Sequence, residues 1–308
     1  MQAFDITLHR MIIFFLILLL GAFCGKKRII SEEYLPQLQL LVTKIFLPVV
    51  IFYGTYQGAT WQDVVDNVAI IAFAAIFYAV VGLLLFGIAK LMRLEHDYDK
   101  GFTFCFLFGN TLFVGMPLLT ALFPEKGMLY LALFSIIDQL VFWTVGIWLA
   151  TGRDRAYRFT PKSFITPNTI SLALVFAFIA LSVPLPPVLL DTLQVINNGT
   201  GALCMLYLGA LMYFSDWKSV LKRADLYVGI AVKMVVLPIV GGHVMLLLGV
   251  PHDLAVAMVV LMSLPVMTVV PMIARAYGNC GEYAAGVTAV TLAAAVVTVP
   301  IVQLLAFV

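Results

Sequence analysis

The sequence predicts an all-α polytopic membrane protein with ten transmembrane helices, arranged as two inverted five-helix repeats. Three observations predict this fold. The 308 residues are 63% hydrophobic and only 11% charged, whereas soluble domains are about 45–50% apolar and about 25% charged. The apolar residues form ten runs that reach the length of about 20 residues needed to cross a bilayer. Two of these runs, at matching places in the two halves of the chain, are interrupted by polar, Gly and Pro residues.

The ten runs are separated by short charged or Gly/Pro-rich joints, none long enough to house a soluble domain. Continuous apolar runs favour helices over barrel strands, which would alternate polar and apolar residues over about ten positions. The first run is not expected to be a cleaved signal peptide, because its strongest positive cluster follows the run. The predicted helices cover 5–24, 36–56, 66–92, 102–122, 128–150, 164–183, 188–213, 226–249, 253–274 and 283–306.

The lysine and arginine residues in the joints predict the orientation, because cytoplasmic joints carry an excess of both. Fourteen of the 18 follow the first, third, fifth, seventh and ninth runs, whereas the other side has only Arg10 and Lys126. We therefore expect a multi-pass protein of the cell inner (plasma) membrane with both termini outside. The net charge of +2 gives no indication of a nucleic-acid partner.

The two interrupted runs indicate an internal repeat, with residues 1–154 as the first five-helix unit and 155–308 as the second. An odd number of helices in each half forces the halves to be inverted. Polar, Gly and Pro residues at 109–117 recur half a chain later at 263–271, and Pro breaks or kinks a helix. Paired interruptions in inverted repeats are typical of a transporter's binding site, although two ordinary proline kinks are the alternative.

Several stretches of the chain resemble the auxin efflux carrier family. They are 46–52 in the second helix, 109–117 in the fourth, 167–170 at the start of the sixth, 232–238 in the eighth, and Pro265 with 273–278 in the ninth. The resemblance covers essentially the whole chain. It implies that helices 4 and 9 are broken and cross, as in bile-acid-symporter-like proteins, and that the carrier forms a homodimer.

Known members of that family include plant auxin exporters and bacterial carriers proposed for malonate and other carboxylates. The short joint after the fifth run departs from the long loop of the plant exporters. The resemblance therefore favours a bacterial member and speaks against auxin itself as the substrate.

The interruptions supply the candidate substrate site. Helix N-termini favour anions, so the amides and polar side chains there could hold a carboxylate. Alternatively, the Asn and Thr side chains only cap the half-helices. The candidate substrate-binding residues are Asn110, Thr111, Gly115, Pro117, Ser263, Pro265 and Thr268.

Charged and amide side chains inside the runs are candidates for coupling or for lining a cavity. Asp138 lies midway along the fifth run, where an acid is costly and indicates function by default. It could carry a proton, coordinate a cation, pair with a lysine or make a structural hydrogen bond. Lys44 can extend its ammonium to the interface, whereas Lys233 could face a cavity. Gln139 and Asn198 are the candidate cavity-lining amides.

These features predict a secondary active transporter of small organic anions, carboxylates in particular, that works by alternating access. H+ or Na+ is the candidate coupling ion, and no cofactor or metal site is expected, since the four cysteines lie far apart without ligand spacing. Alternatives are a sodium- or proton-coupled carrier of bile-acid-symporter type and a membrane sensor that binds without transport. An enzyme is not expected, because no HExxH, paired intramembrane aspartate or GxSxG pattern is present.

Overall fold

The computed structural model describes residues 2–95, 97–152 and 165–307, and these residues fold as helices without a strand ladder. They form twelve helices of eight residues or more. In chain order these are α1 (Gln2–Lys26), α2 (Glu32–Gly58), α3 (Trp61–Leu91), α4 (Tyr98–Leu107), α5 (Thr111–Leu122), α6 (Gly127–Ala150), α7 (Pro167–Ala180), α8 (Pro187–Phe214), α9 (Ala224–Leu247), α10 (His252–Ser263), α11 (Val270–Tyr277) and α12 (Gly281–Leu305).

Six of these helices, α2, α3, α6, α8, α9 and α12, are long and apolar enough to cross a membrane. The prediction of an all-helical multi-pass protein is therefore confirmed, whereas the count of ten spans and the inverted repeat stay predictions. The fourth predicted run is divided into α4 and α5, and the ninth into α10 and α11. The joint with the four basic residues between 153 and 162 lies outside the described residues, as does the side chain of Arg10.

The two divided runs form the centre of the molecule. All residues of 101–116 and of 255–268 are buried, which includes α10 almost entirely and the start of α5. Among the long helices around them, burial of the apolar window ranges from 28% in α9 and 33% in α2 and α3 to 61% in α6 and α12. The divided helices are therefore enclosed by protein, as non-helical backbone at membrane depth requires.

Helices α1 and α8 pack with their backbones almost in contact. A Cβ added at Gly21 would lie 2.3 Å from the Leu206 carbonyl oxygen, and one at Gly209 would lie 2.0 Å from that of Leu18. Small residues at such contacts let helices approach closely in a membrane, where association depends on packing. This contact holds α1 and α8 against each other.

Candidate functional site

The two interruptions lie against each other in the centre of the fold. The backbone N–H of Asn110 donates to the Pro265 carbonyl oxygen at 2.8 Å, and the backbone N–H of Met267 donates to the Phe108 carbonyl oxygen at 3.0 Å. These bonds satisfy backbone groups that the breaks would otherwise leave unpaired in an apolar interior. We call residues 108–111 and 263–268 the break region.

Glycines allow this close approach. A Cβ at Gly109 would lie 3.2 Å from both the Leu264 Cβ and the Lys233 Nζ atoms, and one at Gly115 would lie 2.8 Å from a Leu264 methyl carbon. Real Cβ atoms are rarely found at such distances. The glycines of the interrupted fourth run therefore lie in direct contact with the interruption in the ninth run.

Three polar side chains of the break region are buried without a hydrogen-bond partner among the described residues. They are the amide of Asn110 and the hydroxyls of Thr111 and Thr268. Burial of an unpaired polar group is unfavourable, so these side chains are suited to a ligand or a water molecule. Ser263 differs, because its hydroxyl donates to the Val260 carbonyl oxygen at 2.9 Å within α10.

Lys233 brings a positive charge to the same place. It is only 2% exposed, and its ammonium donates to the Leu264 carbonyl oxygen, in the gap between α10 and α11. Cations are favoured near the carboxyl end of a helix, which α10 presents here. Lys44 instead lies on the exposed surface of α2 and does not join this group.

Asp138 is completely buried in a second polar cluster on α6. It accepts hydrogen bonds from the Tyr78 hydroxyl and, at 3.4 Å, from the Gln139 amide. Gln139 in turn accepts from the Trp143 indole at 3.3 Å. Lys233 lies close enough to Asp138 for the two side chains to act on each other electrostatically.

A cavity of about 500 Å³ opens beside the break region and reaches it at Thr268. We call it the Arg275 cavity. One wall holds the side chains of Gln39 and Tyr207, and the Tyr207 hydroxyl donates to the Gln39 Oε1 atom at 2.6 Å. The cavity is lined by Glu32, Leu35, Pro36, Gln39, Tyr207, Leu211, Phe214, Ser215, Asp216, Thr268, Pro271, Met272, Arg275, Glu282 and Ala285.

A second cavity, of about 720 Å³, lies at the opposite end of α2 and contains no residue of the break region. We call it the Asp63 cavity. Asn197 lines it, together with Tyr56 and Glu125, whereas the predicted Asn198 is exposed elsewhere on α8. Pro117 is half-buried and faces a separate groove beside α1 and α8.

The structure thus brings seven of the twelve predicted site residues to the break region, places Asp138 and Gln139 together in the second polar cluster, and leaves three outside both. Those that meet at the break region are Asn110, Thr111, Gly115, Ser263, Pro265, Thr268 and Lys233, whereas Pro117, Lys44 and Asn198 do not. Sequence reasoning missed Gln39, Tyr78 and Tyr207. Each is a polar side chain within a long apolar run, and this was the signal that could have identified them.

Comparison with known proteins places the chain among membrane transport proteins. A family model described as membrane transport protein matches residues 6–163 and 157–303, which is almost the whole chain. The chain is also similar to an uncharacterized transporter of Methanocaldococcus jannaschii. The two are 24% identical over 211 residues, which make up 66% of this chain and 68% of the relative.

Proposed function

The chain belongs to this family of membrane transport proteins, and from that premise we propose a secondary active carrier of small organic anions, carboxylates in particular. The observation that carries the proposal is the break region. Two helix interruptions are joined there by backbone hydrogen bonds, beside three buried polar side chains that have no partner among the described residues. Substrate would bind at this point.

The break region has the chemistry of an anion site. Helix α5 begins in this region and α11 begins just after it, and the amide ends of helices favour negative charge. The Asn110 amide and the Thr111 and Thr268 hydroxyls can donate hydrogen bonds, and the Lys233 ammonium lies beside them. A carboxylate would satisfy these donors and balance the positive charge.

The proposed architecture has ten membrane spans in two inverted repeats, 1–154 and 155–308. The six long helices, α1, α7 and the divided pairs α4–α5 and α10–α11 supply ten crossings. Each divided pair would cross the membrane as one broken helix, and the two would cross each other at the break region. We propose a homodimer in the bilayer as the assembly, on the resemblance alone.

Alternating access is supported by the positions of the two cavities. They lie at opposite ends of α2, which is about 40 Å long at 1.5 Å per residue. Of these two cavities, both lined by described residues, the Arg275 cavity is the one that reaches the break region, so this conformation would open to one side. With both termini outside the plasma membrane, as the charge bias predicts, that side is the cytoplasm.

Asp138 is proposed as the coupling group, for H+ or Na+. Its neighbours Tyr78 and Gln139 are neutral donors, and Lys233 is the charge that interacts with it. A proton or a cation gained at Asp138 therefore changes the charge balance beside the break region. This change would alter the affinity for an anion there, which is what coupled transport requires.

The test is flux of labelled carboxylates into liposomes that contain the purified protein, with protein-free liposomes as the blank. Asn110→Ala should lower substrate affinity about 5- to 150-fold, because it removes a hydrogen bond worth about 1–3 kcal/mol to a buried partner. The matched control is Asn198→Ala on the exposed face of α8. A carrier moves the label, whereas a sensor binds it without flux. Wild-type affinity in a folded Asn110→Ala protein would exclude the break region as the site.

A further inference from the structure

The wall of the Arg275 cavity contains a hydrogen-bond donor that the proposed function has not used. Gln39 is 3% exposed and lines the cavity. Its Oε1 atom accepts the Tyr207 hydroxyl, so its Nε2 group is the end left to donate. Among the described residues, that Nε2 group has no hydrogen-bond partner.

Two unpartnered donors therefore face one cavity. The Thr268 hydroxyl is buried without a partner and lines the same space as Gln39. Tyr207, which fixes the Gln39 amide, also packs against Phe113 of α5, with ring centroids 5.9 Å apart. Of the two donors, Thr268 thus belongs to the break region and Gln39 lies in the cavity beside it. One carboxylate has two oxygens and can accept from both donors.

The rim of the cavity is acidic. Three carboxylates, Glu32, Asp216 and Glu282, line it together with one guanidinium, that of Arg275. The guanidinium is paired with Glu282 at 2.9 Å, which leaves the charges of Glu32 and Asp216 uncompensated by the cavity's own residues. The remaining wall is mostly apolar, formed by Leu35, Pro36, Leu211, Phe214, Pro271, Met272 and Ala285.

We propose that the Arg275 cavity is a substrate subsite selective for singly charged carboxylates with a small apolar body, over doubly charged ones. Gln39 and Thr268 donate to the single carboxylate, and the apolar wall contacts the body of the substrate. A second carboxylate would meet either the apolar wall without a partner, which is costly, or the acidic rim, which repels it. This inference rests on the proposed function and specifies its substrate class.

Butyrate and succinate form a matched pair of probes, because both have four carbons and differ by one carboxylate. Their dissociation constants are measured by titration of the purified full-length protein at pH 7.5, where both are fully ionised. Butyrate should bind at least about 10-fold more tightly, a difference of about 1.4 kcal/mol. Gln39→Leu should weaken butyrate binding about 10-fold, whereas Gln37→Leu, on the exposed face of α2, should not change it.

Rim variants test the second half of the inference. Glu32→Gln combined with Asp216→Asn should reduce the preference for butyrate about 3- to 10-fold, because succinate then meets less repulsion. Glu33→Gln is the matched control, since Glu33 is exposed and does not line this cavity. Thermal unfolding establishes that each variant is folded, and Gln39→Glu, which keeps the shape of the side chain, replaces Gln39→Leu if that variant does not fold.

The outcomes separate the two proposals. Succinate binding equal to or tighter than butyrate binding, or an unchanged preference in the Glu32 and Asp216 double variant, would overturn the selectivity and leave the carrier in place. Equal butyrate affinity in the Gln39 and Gln37 variants would overturn the subsite. Binding of neither anion, together with no flux of any labelled carboxylate, would overturn the proposed function as well.

Discussion

Lys233→Met tests whether the buried ammonium stabilises the break region. Methionine keeps an unbranched side chain of similar length but removes both the charge and the donor to the Leu264 carbonyl oxygen. A hydrogen bond from a charged group contributes about 1.5–3 kcal/mol, and the carbonyl would be left unpaired in a buried gap. The substitution also leaves Asp138 without the lysine that interacts with it.

We therefore expect the free energy of unfolding to fall by about 1.5–3 kcal/mol. At about 2–4 °C per kcal/mol, the slope for large soluble domains, the melting temperature should fall by about 3–12 °C. The assay is thermal unfolding of the purified protein in detergent, followed by tryptophan fluorescence. Combining Lys233→Met with Asp138→Asn should recover about 1 kcal/mol, because the acid that the lysine would balance is then neutral as well.

Lys44→Met is the matched control, since Lys44 lies on the exposed surface of α2. Its effect should stay within about 0.5 kcal/mol, as for most surface substitutions. The reasoning is refuted if Lys233→Met is no less stable than Lys44→Met. It is also refuted if the double variant loses as much stability as the two single variants added together.

Three further predictions concern coupling, packing and orientation. Asp138→Asn should flatten the pH or sodium dependence of transport, measured as flux into liposomes across a range of pH and sodium concentration; unchanged ion dependence with normal flux would assign it a structural role. Gly209→Ala should destabilise the protein by about 1–3 kcal/mol, because the added Cβ meets a backbone carbonyl of α1 at 2.0 Å. At Gly199 in the same helix, an added Cβ would meet no described atom within 4 Å beyond the neighbouring helix backbone, so Gly199→Ala should be neutral or stabilising in the same melting assay. In a protein whose native cysteines are replaced, a cysteine at Lys218 should react with an impermeant reagent only from the cytoplasm, and one at Lys126 only from outside; labelling of both from one face would contradict the inverted repeat.

The composition of the chain determined the class of fold, and the clusters of polar, Gly and Pro residues inside two apolar runs indicated where the breaks lie. A chain with 11% charged residues cannot cover a soluble surface, so long apolar helices follow. Polar, Gly and Pro residues at 109–117 and 263–271 disfavour a regular helix, and the structure interrupts α4–α5 and α10–α11 within or directly beside those stretches. Pro265 lies in the second gap, whereas the first gap precedes Pro117, which lies within α5. Asn110 and Thr268 were identified from this pattern alone.

The contacts of the individual polar side chains were decided only by tertiary structure. Tyr207 binds Gln39 across 168 positions, and Tyr78 binds Asp138 across 60. Asn197 lines the Asp63 cavity, whereas its neighbour Asn198 is exposed on α8 outside that cavity. In a soluble helix, the polar face indicates which side meets water. Here the lipid-facing and protein-facing sides are both apolar, so sequence periodicity carries little information about direction, and packing against the neighbouring helices sets where each polar group points.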